Sequence, residues 1–286
     1  MKRADFKQAF TIIEVMLVLA IVGLLFVGLI GSAQSTIRKQ RYNDSVQTFE
    51  NTLQEQYDLV SNIQNTRPLS ESIQCTPNSS SVTLVFEGTN NASYYRPGMS
   101  KCLVYGRLVE FKDMGQNGKR EVKVSNVIGL EPGGAEKGPD QSEISTFKNA
   151  LVSKEKLGTT DRSETLQMQW SSWLREPRVS SGVTPVAVTG GLLILRSPVS
   201  GTIWTYKYTG DITGVSLKDK VEAANAGSRS FCIMSDDAEP KSTRAVVAGG
   251  SGVFTGANSS AVQIAPLDKP QGSAGDFNYV PTVDCT

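Results

Sequence analysis

The chain has 286 residues and a near-neutral balance, with 29 Lys and Arg against 28 Asp and Glu and a formal net charge of +1. That balance points to neither a nucleic-acid binder nor an acidic tail. Histidine is absent, which excludes Ser-His-Asp and Cys-His catalysis and every His-ligated metal site.

The chain opens on a polar stretch, MKRADFKQA, with Lys2, Arg3 and Lys7 set against Asp5. An acid, Glu14, stands at the start of the apolar run that follows. From Val15 to Ile37, 23 residues, there is no charge at all. As a helix that run would be about 35 Å long at ~1.5 Å per residue, enough to cross a bilayer core of about 30 Å. A secretory signal peptide has a shorter apolar core and a cleavage site after it. A plain membrane anchor fits the length but leaves Glu14 without a role, because a carboxylate is costly near hydrocarbon. Charge alone does not orient the span: Lys2, Arg3 and Lys7 precede it and Arg38, Lys39 and Arg41 follow it.

Past Arg41 the pattern changes. Tyr42, Val46, Phe49, Leu53, Tyr57, Val60 and Ile63 recur at steps of three and four, which is one stripe of an amphipathic helix. Pro is absent from Phe10 to Asn65, and Pro68 follows soon after. The spacing predicts one continuous helix of roughly 55 residues, ~80 Å long. Its first half (10–37) is apolar all round and its second half (38–66) is striped. Such a stripe needs a partner, most simply a sheet supplied by the rest of the chain.

From Cys75 on the sequence reads as β. Residues 81–86, 101–111 and 121–130 are β-branched or aromatic runs bounded by turns, and Gln116-Asn117-Gly118 carries the Asn-Gly hairpin signal. Residues 131–143 are loop-like, and 144–156 have the composition of a short helix. Further strands are expected at 165–173, 190–197, 201–210, 229–235 and 244–254, with a loop-like tail. The fold class is therefore α+β: a long N-terminal helix packed on an antiparallel β domain spanning 67–286. Four cysteines, Cys75, Cys102, Cys232 and Cys285, all follow the apolar run. They form no C-x-x-C pair, and an even count on the outer side of a membrane suggests two disulfides. Three connectivities are open, and nearness in the chain favours Cys75–Cys102 and Cys232–Cys285.

Three motifs carry no chemistry. Ser153 to Lys156 has the S-x-x-K order but lacks the partner elements of a Ser-Lys enzyme. Gly250, Gly252 and Gly256 miss the dinucleotide-binding spacing. The acids between Ser235 and Glu239 lack the calcium-loop order. No catalytic residue, cofactor or metal is expected.

The N-terminal stretch resembles the class III signal of type IV pilins and pseudopilins. In that family a basic leader ends in a small residue, a Phe follows, and Thr-Leu-Ile-Glu opens an apolar helix. Here the corresponding order is Gln8-Ala9 followed by Phe10-Thr11-Ile12-Ile13-Glu14. Ala9 stands where the family usually has Gly. The segment 229–254, in which a Cys-bearing strand precedes Arg244-Ala245-Val246-Val247, is similar to the end of GspH/FimT-like pseudopilin domains. On that plan the region from about 131 to 200 is extra material, either an insertion or a second small sheet.

The resemblance implies a leader, residues 1–9, cut between Ala9 and Phe10 by a prepilin peptidase that also N-methylates Phe10. It implies a cytoplasmic leader, an exported head and assembly of the apolar helices into an extracellular filament. Glu14, the fifth residue after the cut, would then pair with the Phe10 amine of its own chain or a neighbour. The expected partners are other pilin subunits, the peptidase, an inner-membrane assembly platform and, before assembly, membrane lipid. The tail is neutral to acidic, against nucleic-acid binding. The implied function is a structural pilus subunit serving adhesion, twitching motility or DNA uptake. The large head, which would crowd a homopolymer surface, favours a minor subunit over a major pilin. The alternative is a pseudopilin of a type II secretion system.

Overall fold

The computed structural model describes residues 11–62, 72–77, 82–87, 102–113, 120–130, 151–154, 156–157, 160–161, 163–170, 172–177, 188–198, 200–210, 217–221, 226–235, 244–248, 261–265 and 285. They form one long N-terminal helix and a set of antiparallel sheets, an α+β architecture.

Helix α1 runs Ile12–Ser61 over 50 residues, about 75 Å at ~1.5 Å per residue. Thr11 caps it. Its backbone is extended (φ −75°, ψ 148°), and its hydroxyl accepts the Glu14 N–H at 3.4 Å. The last turn holds no basic residue of its own. The fold supplies one instead: Arg196 donates to the Ser61 carbonyl at 2.9 Å, placing a cation on the negative end of the helix dipole. The helix ends at Asn62, whose N–H bonds the Asp58 carbonyl at 3.0 Å.

Strands β1 (Ser72–Pro77) and β2 (Val82–Glu87) pair with each other. Strands β3 (Cys102–Asp113) and β4 (Arg120–Leu130) form a hairpin whose last pair is Asp113 with Arg120. The Asn-Gly turn expected between them lies outside the described residues. The register shifts between Val104 and Gly106, leaving Tyr105 as a bulge. Strand β5 (Leu151–Lys154) pairs with one end of β4, and β8 (Ser163–Gln167) with the other. Between them lie the two-residue strands β6 (Lys156–Leu157) and β7 (Thr160–Asp161), which pair with each other. Strand β10 (Gly190–Arg196) pairs with β3 on one side and with β11 (Ile203–Tyr208) on the other. The main sheet therefore has the order β11-β10-β3-β4-β5, with β8 on the same edge of β4 as β5. A second sheet has the order β14-β13-β12-β9, where β9 is Ser172–Arg175, β12 is Arg229–Ser235, β13 is Arg244–Ala248 and β14 is Val262–Ala265.

The two faces of the main sheet bury different sets. Val109, Phe111, Val122, Val124, Leu192 and Ile194 join the helix stripe and Phe231, Ile233, Val246 and Val262 of the second sheet in one core. Tyr105, Leu108, Val127, Leu193, Leu195, Tyr206 and Tyr208 face the other way, against Leu217 and Val221. The alternation along β10 and β11 is the period-two signature of a sheet buried on both faces. Close strand approach fixes glycine at 106, where a Cβ would run into the Ile194 carbonyl oxygen.

Several expectations are corrected. Leu151–Lys154, assigned from composition to a helix, is strand β5, because the free edge of β4 offers it hydrogen bonds at Val127, Ile128 and Gly129; a local propensity yields to such pairing. The single strand expected at 165–173 is two, β8 and β9, divided by a turn in which Ser172 N–H bonds the Gln169 carbonyl at 3.1 Å. Separately, the described strands within 131–200 include β5, β8 and β10 of the main sheet and β9 of the second, with β10 an interior strand. Strand β14, just ahead of the tail, was not foreseen because it is only 4 residues long.

Candidate functional site

The feature that organises this molecule is the change in environment along α1. Every residue from Ile12 to Arg41 is exposed. Among them are Ile12, Leu24, Val27 and Leu29 with 66–80% of their surface free. A Cβ added to Gly23, Gly28 or Gly31 would meet no atom beyond the helix's own turns. The helix is long and apolar enough, by length and composition, to cross a membrane. At Tyr42 the environment switches. Tyr42, Val46, Phe49, Leu53, Tyr57 and Val60 are buried, none more than 4% exposed, and each such side chain contributes about 1.5–3 kcal/mol in apolar burial. Ser45 and Gln56 are buried on the same face.

Three contacts fasten this half of the helix. The Tyr42 hydroxyl donates to the Ile233 carbonyl at 2.9 Å. The Tyr57 hydroxyl shares a hydrogen bond with Thr205 Oγ1 at 3.0 Å. Phe49 sits between them, edge-on to Phe231 at 5.8 Å and tilted on Phe111 at 6.4 Å. The tyrosines suit these places because each buries a ring while its hydroxyl finds a partner.

Glu14 is exposed in the first turn of the helix, where the dipole favours an acid. Thr11 and Glu14 stand in the T-x-x-E order of a capping box. The role of Thr11 was legible in that spacing and was missed. Ala9 and Phe10 lie outside the described residues. Cys232 and Cys285 are joined, with Cα atoms 5.6 Å apart, and both are buried. Cys75 lies on β1 and Cys102 on β3, at positions whose side chains are outside the described residues. Among the described residues no cluster of three or more His, Cys, Asp or Glu could hold a metal ion.

Two further groups had no sequence signal of their own. Arg229 is buried, 6% exposed, at the join of the two large sheets. Its guanidinium pairs with the Glu176 carboxylate and donates to the carbonyls of Thr189 (2.8 Å), Gly191 (3.0 Å) and Tyr208 (2.9 Å). It also lies over the rings of Phe231 (5.3 Å) and Phe111 (5.8 Å). A planar fork of donors suits this several-sided role, which an ammonium would not fill. The second group is Trp170, whose ring meets the Arg41 guanidinium at 4.8 Å.

Comparison with protein-family models, with curated proteins and with solved structures finds no significant match.

Proposed function

We propose that this chain is a pilin-like structural subunit, held in the cytoplasmic membrane by the first half of α1 and then assembled into a filament through that same half. The observation that carries the reading is the division of one unbroken helix at Tyr42, bare and apolar before it and joined to a β head after it. A loose stalk would leave the second half free, whereas Phe49, Tyr42 and Tyr57 tie it to both large sheets. A bare helix of this length is stable only in lipid or against other apolar helices. Packing against further copies removes it from lipid and generates heterologous contacts that do not close on themselves, as a filament requires.

In this reading the head is extracytoplasmic, where the Cys232–Cys285 bond persists. Prepilin peptidase cuts between Ala9 and Phe10 and methylates the new amine. Glu14 neutralises that amine in the filament core. The partners are other subunits, the peptidase, the assembly platform and lipid, and the subunit is minor rather than major. The test is mass spectrometry of the N-terminus in filaments sheared from the cell surface. A chain beginning at N-methylated Phe10 is expected. Intact residues 1–9 on assembled subunits, or absence of the chain from every filament fraction, would refute the reading.

A further inference from the structure

We infer that Trp170 and Arg41, together with Arg38 and Lys39, form a seat for the head on an anionic bilayer surface. The inference rests on the reading of Val15–Ile37 as a membrane span. Arg41 lies four residues beyond Ile37, about 6 Å farther along the helix axis. The polar layer outside a bilayer's hydrocarbon core is about 5–8 Å thick on each side. Arg41 and the ring it touches therefore fall within that layer when the span is in place.

Three observations meet at this point. Trp170 comes from the turn between β8 and β9 and is brought to the helix only by the fold; its ring centroid is 4.8 Å from the Arg41 guanidinium. The ring is not core material, since 45% of the residue remains exposed. Its backbone has φ +56°, and it is the only residue other than glycine with positive φ among those described. A bulky side chain is disfavoured there, and glycine would occupy the position with less strain. The Ser172–Gln169 hydrogen bond closes the turn and holds Trp170 in this conformation.

Chemistry selects the occupant. A half-exposed indole, apolar in body with one polar N–H, partitions to the headgroup level of a membrane. Arg41 touches it, Arg38 and Lys39 precede Arg41 within one helical turn, all three are exposed, and the next acid along the helix is Asp44. A basic cluster next to a span is attracted to anionic headgroups. With Arg41 held against the ring, the head and its helix have one preferred orientation on the bilayer rather than tilting and rotating freely together.

The test uses the full chain in vesicles of phosphatidylcholine alone or mixed with phosphatidylglycerol, with lipids brominated near the headgroup or near the chain end. Tryptophan fluorescence should be quenched by the shallow bromines and more strongly when phosphatidylglycerol is present. Trp170→Phe should lose most of that shallow quenching, and Arg41→Gln should weaken it. Protection of the apolar segment from added protease, measured in the same vesicles, reports the span itself. No protection would sink the spanning reading and this inference with it. Protection with shallow quenching unchanged in Trp170→Phe would overturn the inference alone. Equal quenching in both vesicle types would overturn the assignment to anionic lipid.

Discussion

Removing the Arg229 guanidinium should be among the most damaging single changes in the head. Its charge is almost wholly withdrawn from water and is balanced by Glu176 and three carbonyl oxygens. Breaking a buried ion pair from one side costs about 3–5 kcal/mol. The loss divides unevenly. The Glu176 side chain is 33% exposed, so its carboxylate turns to water when Arg229 is gone. The Gly191 and Tyr208 oxygens sit opposite each other in the β10–β11 ladder, where relief by solvent is harder. Arg229→Ala should therefore lower stability by about 3–4 kcal/mol. Glu176→Gln should cost less, about 1–3 kcal/mol: it leaves the buried guanidinium without its counter-charge, but Arg229 keeps its three carbonyl partners and the glutamine oxygen can still accept its hydrogen bond. Arg229→Lys should fall between them, retaining the charge but not the fork. Guanidinium chloride unfolding of the full chain in detergent, followed by near-ultraviolet circular dichroism, reads the aromatic packing of the head. A cost below about 1 kcal/mol for Arg229→Ala, or an equal cost for Glu176→Gln, would refute this account of the network.

Three further changes test other parts of the molecule. Glu14→Ala should still be cut after Ala9, yet filament incorporation should fall on the order of tenfold, the factor for ~1.4 kcal/mol; quantitative blotting of sheared filaments against cell-retained protein measures it, and normal incorporation removes the pairing role. Gly190→Ala meets both a positive φ of +89° and the Tyr208 carbonyl in the way of its Cβ, so it should destabilise the head by about 1–3 kcal/mol, seen as a lowered denaturation midpoint; an unchanged midpoint contradicts it. Cys285→Ser opens a bond spanning 53 residues and should cost about 2–4 kcal/mol; reducing agent should lower the parent's midpoint by at least that much and the variant's by less, and an unchanged midpoint in the variant without reductant contradicts it.

The helix and its division were written in the amino-acid order. An uncharged run, a later stripe at steps of three and four and a long stretch without Pro depend on neighbours within one or two turns, so the local pattern is sufficient. Six of the seven stripe residues named from spacing are buried, and Ile63 lies outside the described residues. Strands Cys102–Asp113, Arg120–Leu130 and Arg229–Ser235 were legible for the same reason, through their β-branched and aromatic runs. What the order of residues did not determine is which edges meet. Strand β10 enters the middle of the main sheet, Leu151–Lys154 becomes a strand because β4 has an edge to fill, and Arg229 gathers partners from β10, β11 and the segment after β9. Trp170 reaches Arg41 only because the turn ahead of β9 folds back to the helix. Such contacts join segments far apart in the chain. Their free energy depends on burial and hydrogen-bond geometry that exist only once the two sheets and the helix are together.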